Sequence, residues 1–438
     1  MRDTVPLLAV AMGGGAMRSV FGAATLGAWV ICGAVLAAPA AKPPVKDAKL
    51  WTAAETARPA QLQLLETLVN IDSGTGDVEG GRKIAAILKP RLEALGAVVE
   101  LAPAEADGLP ENLVATLKGT GKGRILMIAH MDTVFGPGTA AKWPYRAEGE
   151  RASGPGVGDE KGGVVEGLYA LQLLHDLGFS NYARITFLIE TSEERGSPGT
   201  RNLIARLVRE HDVELNLEPG DPPDVLTVWR KGSSAFHIEV KGRAAHAGIA
   251  PQEGRNAAVE LIHQLAAIEE FPHAGPGTTV NLTLMQAGTR NNIIPETASA
   301  TMSVRVREPA EFDRVMARLQ QQALTHLVPD TSVTVSRESS FPPLPNNPGT
   351  DALAARAGRI YAGIGRKIET GGNGGASESA LAVAMGVPAL DGLGPVGGGF
   401  HSDKEWIDLT TVTPRLYLLT KLIMELGASP PAPLAPAK

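Results

Sequence analysis

The sequence predicts an α/β fold: a mostly parallel sheet flanked by helices, with a ferredoxin-like βαββαβ unit inserted into it. Three observations carry that expectation. Short apolar runs alternate with helix-period segments between residues 60 and 217. The rhythm changes after Trp229, and helical patterns resume after residue 350 to close the first unit behind the insert.

The amino terminus comes first. Residues 20–39 carry no charge, follow Arg18 and are rich in Ala, Gly, Val and Leu; Ala38-Pro39-Ala40 then offers a small-x-small cleavage site. Residues 1–40 are expected to be a signal peptide, which makes the mature chain periplasmic or secreted. About 20 apolar residues also suffice to span a bilayer, so a membrane anchor is the alternative, and Met17 is an alternative start because Asp3 and Pro6 are unusual so early in a signal. Cys32, the only cysteine, lies inside this stretch. The mature chain therefore has neither a disulfide framework nor a thiolate metal site. Any metal must be held by His and carboxylates, a donor set that suits Zn, Mn or Co.

Each later element has its own signal. A Pro/Lys-rich spacer (41–49) precedes a helical pattern at 60–69. Residues 125–129 form an apolar strand run, 162–177 a helix by apolar spacing, 185–189 a β-branched run, 202–209 a helix and 213–217 a strand. The insert, 227–339, reads as strand 235–240, helix 256–269, strands 279–285 and 298–306, helix 311–326 and strand 332–336. Helices at 352–361 and 416–426 return the chain to the first unit, which comprises 41–226 and 340–428, and the Pro/Ala-rich tail 429–438 is expected to be disordered. At 438 residues and 44% hydrophobic content, more than one core can be buried. The net charge of −6 is mixed along the chain and leaves no basic stripe, which argues against a nucleic-acid partner.

A relay of metal-type ligands sits just past these apolar runs. Strand alternation puts His130 and Asp132 on one side of the chain, so one can ligate while the other orients it. The glycine-dense turn 154–158 delivers Asp159 to the start of a helix, where an aspartate ordinarily serves as a cap. Glu193 and Glu194 follow another strand and suit one ligand and one base, although a Glu pair at a helix start is also favoured by the dipole. Glu218 ends a further strand and His401 follows the glycine run 397–399. Each has an ordinary structural reading alone. Together they point to a two-metal site at the carboxyl edge of the sheet. No G-x-S-x-G elbow supports a serine hydrolase, and the glycine run 371–375 lacks the Lys-Ser/Thr of a phosphate cradle.

The motifs MIAHMDTV (127–134), GPGVGDEKGG (154–163), TSEERGSPGTR (191–201), AAHAG (244–248), NNIIP (291–295) and FHSDKEW (400–406) resemble the di-zinc metallopeptidase family that includes glutamate carboxypeptidase, aminoacylase and related dipeptidases and deacylases. The resemblance spans residues 61–427. It implies two Zn2+ per chain, with Mn or Co as substitutes: His130 and Glu218 on one ion, Glu194 and His401 on the other, Asp159 bridging. Glu193 would be the general base and Asp132 the partner that orients His130. The insert would be a lid and dimerisation domain, making the chain a homodimer. His246 would reach the substrate carbonyl across the dimer, Asn292 would bind substrate or oxyanion, and Gly375 would contact substrate. Arg305 would bind a free carboxylate; Arg307 shares its strand face, so spacing does not choose between them. Glu378 stands where relatives place Asp and is expected to shift the loop that lines the site. The implied substrate is a peptide or N-acyl amino acid with a free carboxylate. The favoured activity is release of a C-terminal amino acid, glutamate in particular; N-acyl-amino-acid deacylase and dipeptidase are the alternatives.

Overall fold

A computed structural model describes residues 45–266, 268, 277–339 and 341–435. The expected signal peptide, 1–40, lies outside the described residues. Among the described residues no helix is long and apolar enough to cross a membrane.

The main sheet has six strands in the order Val98–Ala102, Asn112–Lys118, Arg184–Glu190, Arg124–His130, Val213–Asn216, Ala389–Leu390. The last four run parallel, and the first two form an antiparallel hairpin along one edge. Within Arg124–His130, Ile125, Met127 and Ala129 face one core cluster while Leu126 and Ile128 face another. Both faces are thus covered, and this is why the strand reads as an unbroken apolar run. Helices Ala48–Val69, Lys161–Asp176 and Val412–Ala428 pack together on the first face. Arg201–Arg209 covers the second with Leu203, Ile204, Leu207 and Val208.

The first helix begins earlier than its apolar pattern, at Ala48, because the Asp47 side chain accepts from Leu50 N at 3.2 Å and caps it. Helix Val78–Ala94 was not expected. Its paired glycines and internal Pro90 hide the periodicity, yet Ile84, Leu88 and Leu92 bury one face. The carboxyl-terminal helix ends at Ala428, and beyond it Leu434 N donates to Gly386 O at 2.8 Å.

A second, four-stranded antiparallel sheet is ordered Thr279–Ala287, Thr297–Val306, Gly232–Lys241, Ser332–Ser339. Helices Ala257–Ala266 and Ala310–Gln322 interrupt these strands in the expected βαββαβ sequence. Phe236, Ile238 and Val240 alternate with more exposed neighbours and join Met302, Val304 and Val306 in a core of their own. The opposite face carries Ser233, Ala235, Thr301, Ser303 and Arg305 toward a cavity. A parallel pair, Val225–Arg230 with Glu369–Asn373, lies between the two sheets in chain order.

Candidate metal centre

Parallel neighbours end on the same side of a sheet, so Arg124–His130, Arg184–Glu190 and Val213–Asn216 release their following residues along one edge. His130, Asp159 and Glu218 converge there, and so do Asp159, Glu194 and His401; in each trio the ligand-type atoms lie within 4.8 Å of one another. His130 Nε2 stands 3.2 Å from Asp159 Oδ1 and 3.6 Å from Glu218 Oε1. His401 Nε2 is 3.1 Å from both Asp159 Oδ2 and Glu194 Oε2. Asp159 therefore offers one oxygen to each histidine. It is not a helix cap: Glu160 takes that place, without a side-chain bond to the helix.

The arrangement fits divalent ions. Several carboxylates and two imidazoles share one partly buried pocket, and Glu194 Oε1 is buried without a hydrogen-bond partner. Oxygen and nitrogen donors of this kind suit zinc-like cations. His130 Nδ1 donates to Asp132 O at 2.9 Å and leaves Nε2 facing the cluster. The Asp132 carboxylate lies 3.5 Å from Nδ1 but has closer duties. It accepts from Thr75 Oγ1 at 2.7 Å, Glu193 N at 3.2 Å and Glu194 N at 3.3 Å. Asp132 thus orients the tight turn that presents both glutamates, in addition to flanking His130.

Electrostatics follow from crowding. Burial alone would depress His130, but Asp132, Asp159, Glu218 and Glu160 outweigh it and hold the imidazole well above its ordinary pKa. Asp159 and Glu194 push His401 up to about 10. Burial, then the charge of Asp159, raises Glu218 to about 7 against the pull of Arg230. Glu193 is also pushed well above the carboxylate range, first by burial and then by the charge of Glu378. Its Oε2 lies 4.0 Å from His130 Nε2.

Three contributors were not singled out from the sequence. Glu405 accepts from Gly156 N (3.2 Å), Gly158 N (2.8 Å) and Asp159 N (3.0 Å), pinning the loop that delivers the shared aspartate. It sits inside the FHSDKEW motif, among other charged residues, and only this motif hinted at it. Arg230 grips Asp391 at 2.6 and 2.7 Å and approaches Glu218 Oε2 at 3.5 Å. Asn373 lines the same cavity and holds Gly375 N at 2.9 Å.

The cavity, about 560 Å³, is bounded by Asp159, Glu193, Glu194, Glu218 and His401 on one side and by the four-stranded sheet on the other. Arg305 and Gly375 line it; Arg307 does not, because its guanidinium stacks 3.7 Å over Trp229. Burial lowers the Arg305 pKa and the Glu193 charge partly restores it. Glu378, expected to shift the loop that lines the site, does not itself line the cavity. Its buried carboxylate accepts from Asn216 Nδ2 at 2.9 Å, behind the sheet edge. His246 and Asn292 are absent from the cavity wall as well. His246 pairs with Ile293 on the short strands Ala245–His246 and Ile293–Ile294, Asn292 just precedes the second strand and its carbonyl accepts from Ala247 N at 3.0 Å, and both His246 and Asn292 are exposed. His246 Nδ1 accepts there from Gly248 N (3.2 Å) and Ile249 N (3.1 Å).

With this geometry in view, residues 126–425 match peptidase family M20/M25/M40. The chain is 36% identical over 389 residues to carboxypeptidase G2 of Pseudomonas sp. (strain RS-16), covering 87% of this chain and 93% of that protein. Among solved structures it resembles an M20-family metallo-carboxypeptidase from Sulfolobus solfataricus, with a TM-score of 0.67, 16% identity and coverage of 84% and 99%. Human carnosine dipeptidase 1 is similar at a TM-score of 0.69, 18% identity and coverage of 88% and 100%.

Proposed function

Because the chain belongs to peptidase family M20/M25/M40, we propose that it is a two-zinc carboxypeptidase whose preferred leaving group is a C-terminal glutamate. The coarser statement needs no proposal: it is a metal-dependent exopeptidase. The observation that carries the finer one is Arg305, a partly buried guanidinium on the cavity wall facing the carboxylate cluster. A guanidinium is the natural bidentate partner of a carboxylate, and carboxypeptidase G2, at 36%, is the relative of highest identity described above.

In this reading His130 and Glu218 hold one ion, Glu194 and His401 the other, and Asp159 both. The ions, when bound, supply Lewis acidity and neutralise the crowded carboxylates. The protein's own groups do the rest. Arg305 anchors the substrate carboxylate and aligns the scissile amide over the cluster. Glu193, with its affinity for a proton raised by burial, takes the proton of the attacking water and returns it to the departing amine. Asp132 and Thr75 keep the Glu193 turn in place.

Residues 227–339 would form a lid and dimerisation domain. The support is a separate hydrophobic core and an edge strand, Thr279–Ala287, that exposes Leu282, Leu284 and Met285. An exposed apolar edge of this kind favours pairing with another chain. In such a homodimer the partner would bring His246 and Asn292 to the cavity of its neighbour. The uncharged run 20–39 supports export to the periplasm or beyond, with residues 1–40 removed.

The test is zinc content of the purified protein together with glutamate release from a peptidyl-glutamate, before and after chelation. About two zinc ions per chain with chelator-sensitive release is expected. Release of N-acyl groups instead would favour the deacylase alternative, and no tightly held metal after reconstitution would overturn the reading.

A further inference from the structure

We propose that Arg415, buried in the carboxyl-terminal helix, is a positioning residue: it holds the loop that carries Glu218 and the loop that leads to His401 at a fixed spacing, and so governs uptake of the second of two metal ions. This rests on the two-metal reading above and is independent of the substrate.

The two loops are neighbours. Glu218 stands in the turn between strands Val213–Asn216 and Val225–Arg230. His401 lies in a hairpin closed by Gly397 opposite Ile407 and Gly398 opposite Trp406. The same hairpin carries Glu405, which grips the loop of Asp159. Backbone bonds join the pair: Gly394 N donates to Glu218 O at 2.9 Å, Gly220 N to Pro395 O at 3.1 Å and Gly397 N to Gly220 O at 3.0 Å.

One guanidinium spans this junction from beneath. Arg415 Nη1 donates to Gly392 O at 2.5 Å, at the start of the second loop, and Nη2 to Val225 O at 3.1 Å, at the end of the first. Its Nε and Nη2 meet Asp224 Oδ1 at 2.9 and 2.7 Å, and Asp224 Oδ2 accepts from the Tyr361 hydroxyl at 2.8 Å. Gly220 lies against the fork, where an added Cβ would fall 2.4 Å from Nη2. Arg415 is wholly buried, and a buried charge is costly unless it is paired and hydrogen-bonded. Glu166 does not supply the pairing: its carboxylate has no hydrogen-bond partner, and burial pushes its pKa well up. Asp224 therefore balances the guanidinium, and the planar fork sets the distance between the carbonyls of Val225 and Gly392.

That distance matters to two ions more than to one. Asp159 turns one oxygen to His130 and the other to His401. A single ion can draw its own ligands inward by a small loop movement. A second ion sharing Asp159 needs Glu218 and His401 in place together, which only a fixed spacing of their loops provides.

The test follows zinc uptake by competitive chelator titration and the zinc–zinc distance by X-ray absorption. Wild type should take up two ions. R415M should bind the first within about threefold of wild type and the second at least about tenfold more weakly, as expected for losing support behind a ligand, and its zinc–zinc scattering should disappear. If R415M does not fold, R415M/D224N removes the unpaired carboxylate and keeps an acceptor for Tyr361; if that also fails, G220A keeps every charge and pushes the guanidinium aside. Both should weaken the second ion selectively. Y361F loses one bond on the far side of Asp224 and should lower the unfolding temperature without moving either zinc affinity. Unchanged zinc affinities in the folded Arg415 variants, equal weakening of both ions, or the same loss in Y361F would reduce Arg415 to a stability role and overturn the proposal. Fewer than two ions in wild type defeats the two-metal reading and the proposal with it. Two ions in wild type, a selectively weakened second ion in the variants and no glutamate release would support the role of Arg415 and defeat the substrate reading alone.

Discussion

Replacing Glu193 by Gln keeps the size of the side chain and removes its ability to accept a full proton. If Glu193 is the base, zinc content stays unchanged while kcat falls by about 100- to 10,000-fold; normal turnover in the zinc-loaded variant rules this base out. Arg305 and Arg307 offer a paired comparison. Strand spacing put both on one face, and only packing separated them, Arg305 onto the cavity and Arg307 onto the Trp229 ring. R305M should lower kcat/KM by roughly 10- to 100-fold, mostly through KM, as expected for losing hydrogen bonds to a charged group. R307A should change it less than about threefold, since a partly exposed cation–π contact is weak. Steady-state kinetics on one carboxylate-bearing substrate checks both. The histidines add a pH dependence. In the metal-free protein His401 is raised to about 10 from 6.5, so its contribution to stability is complete below pH 6.5 and is lost as pH rises through about 10. Metal must displace that proton and the one on His130, which is also raised. Zinc affinity should therefore increase with pH, with proton release on binding; calorimetry in two buffers of different ionisation enthalpy that detects no release would contradict it.

At the scale of elements, strong patterns were read correctly and weak ones were not. Arg124–His130 and Arg184–Glu190 are apolar on both faces and announce themselves. The hairpin Val98–Ala102 with Asn112–Lys118 was not foreseen: the first is the mostly exposed edge strand, and the second, although largely buried, breaks its apolar run with Asn112, Thr116 and Lys118. Residues 371–373 likewise belong to a strand, although three polar or glycine residues show no pleat-like alternation. The metal loop teaches the same lesson. Its glycines were visible, but the buried Glu405 that ties down three of its N–H groups comes from some 250 residues later in sequence, and no local pattern encodes such a link. Glu405→Ala should lower zinc affinity by about 10- to 100-fold. It should also destabilise the fold by about 1–3 kcal/mol, because three backbone donors lose their acceptor. Competitive chelator titration and thermal unfolding measure the two effects; unchanged zinc affinity would remove Glu405 from the support of the site.

On the scale of the whole molecule, the candidate metal ligands assemble within one chain, whereas His246 and Asn292 stand exposed outside their cavity. Sequence motifs identified both groups but carried no distance between them. If a second copy completes the site, L284D on the exposed edge strand should give a monomer that still takes up zinc yet turns over poorly. Light scattering with metal analysis tests this, and an active monomer would show that one chain suffices. The two histidines already differ in a way that outlasts the question of assembly. His130 spends its Nδ1 proton on a backbone carbonyl, while His246 receives two backbone N–H groups at the same ring atom. In their neutral forms these surroundings select opposite tautomers. One imidazole presents a lone pair at Nε2 and acts toward its partner as a base; the other presents a hydrogen at Nε2 and acts as an acid. The backbone has thus assigned the neutral form of the same side chain two polarities, the basic one being uncovered at His130 when its second proton is displaced.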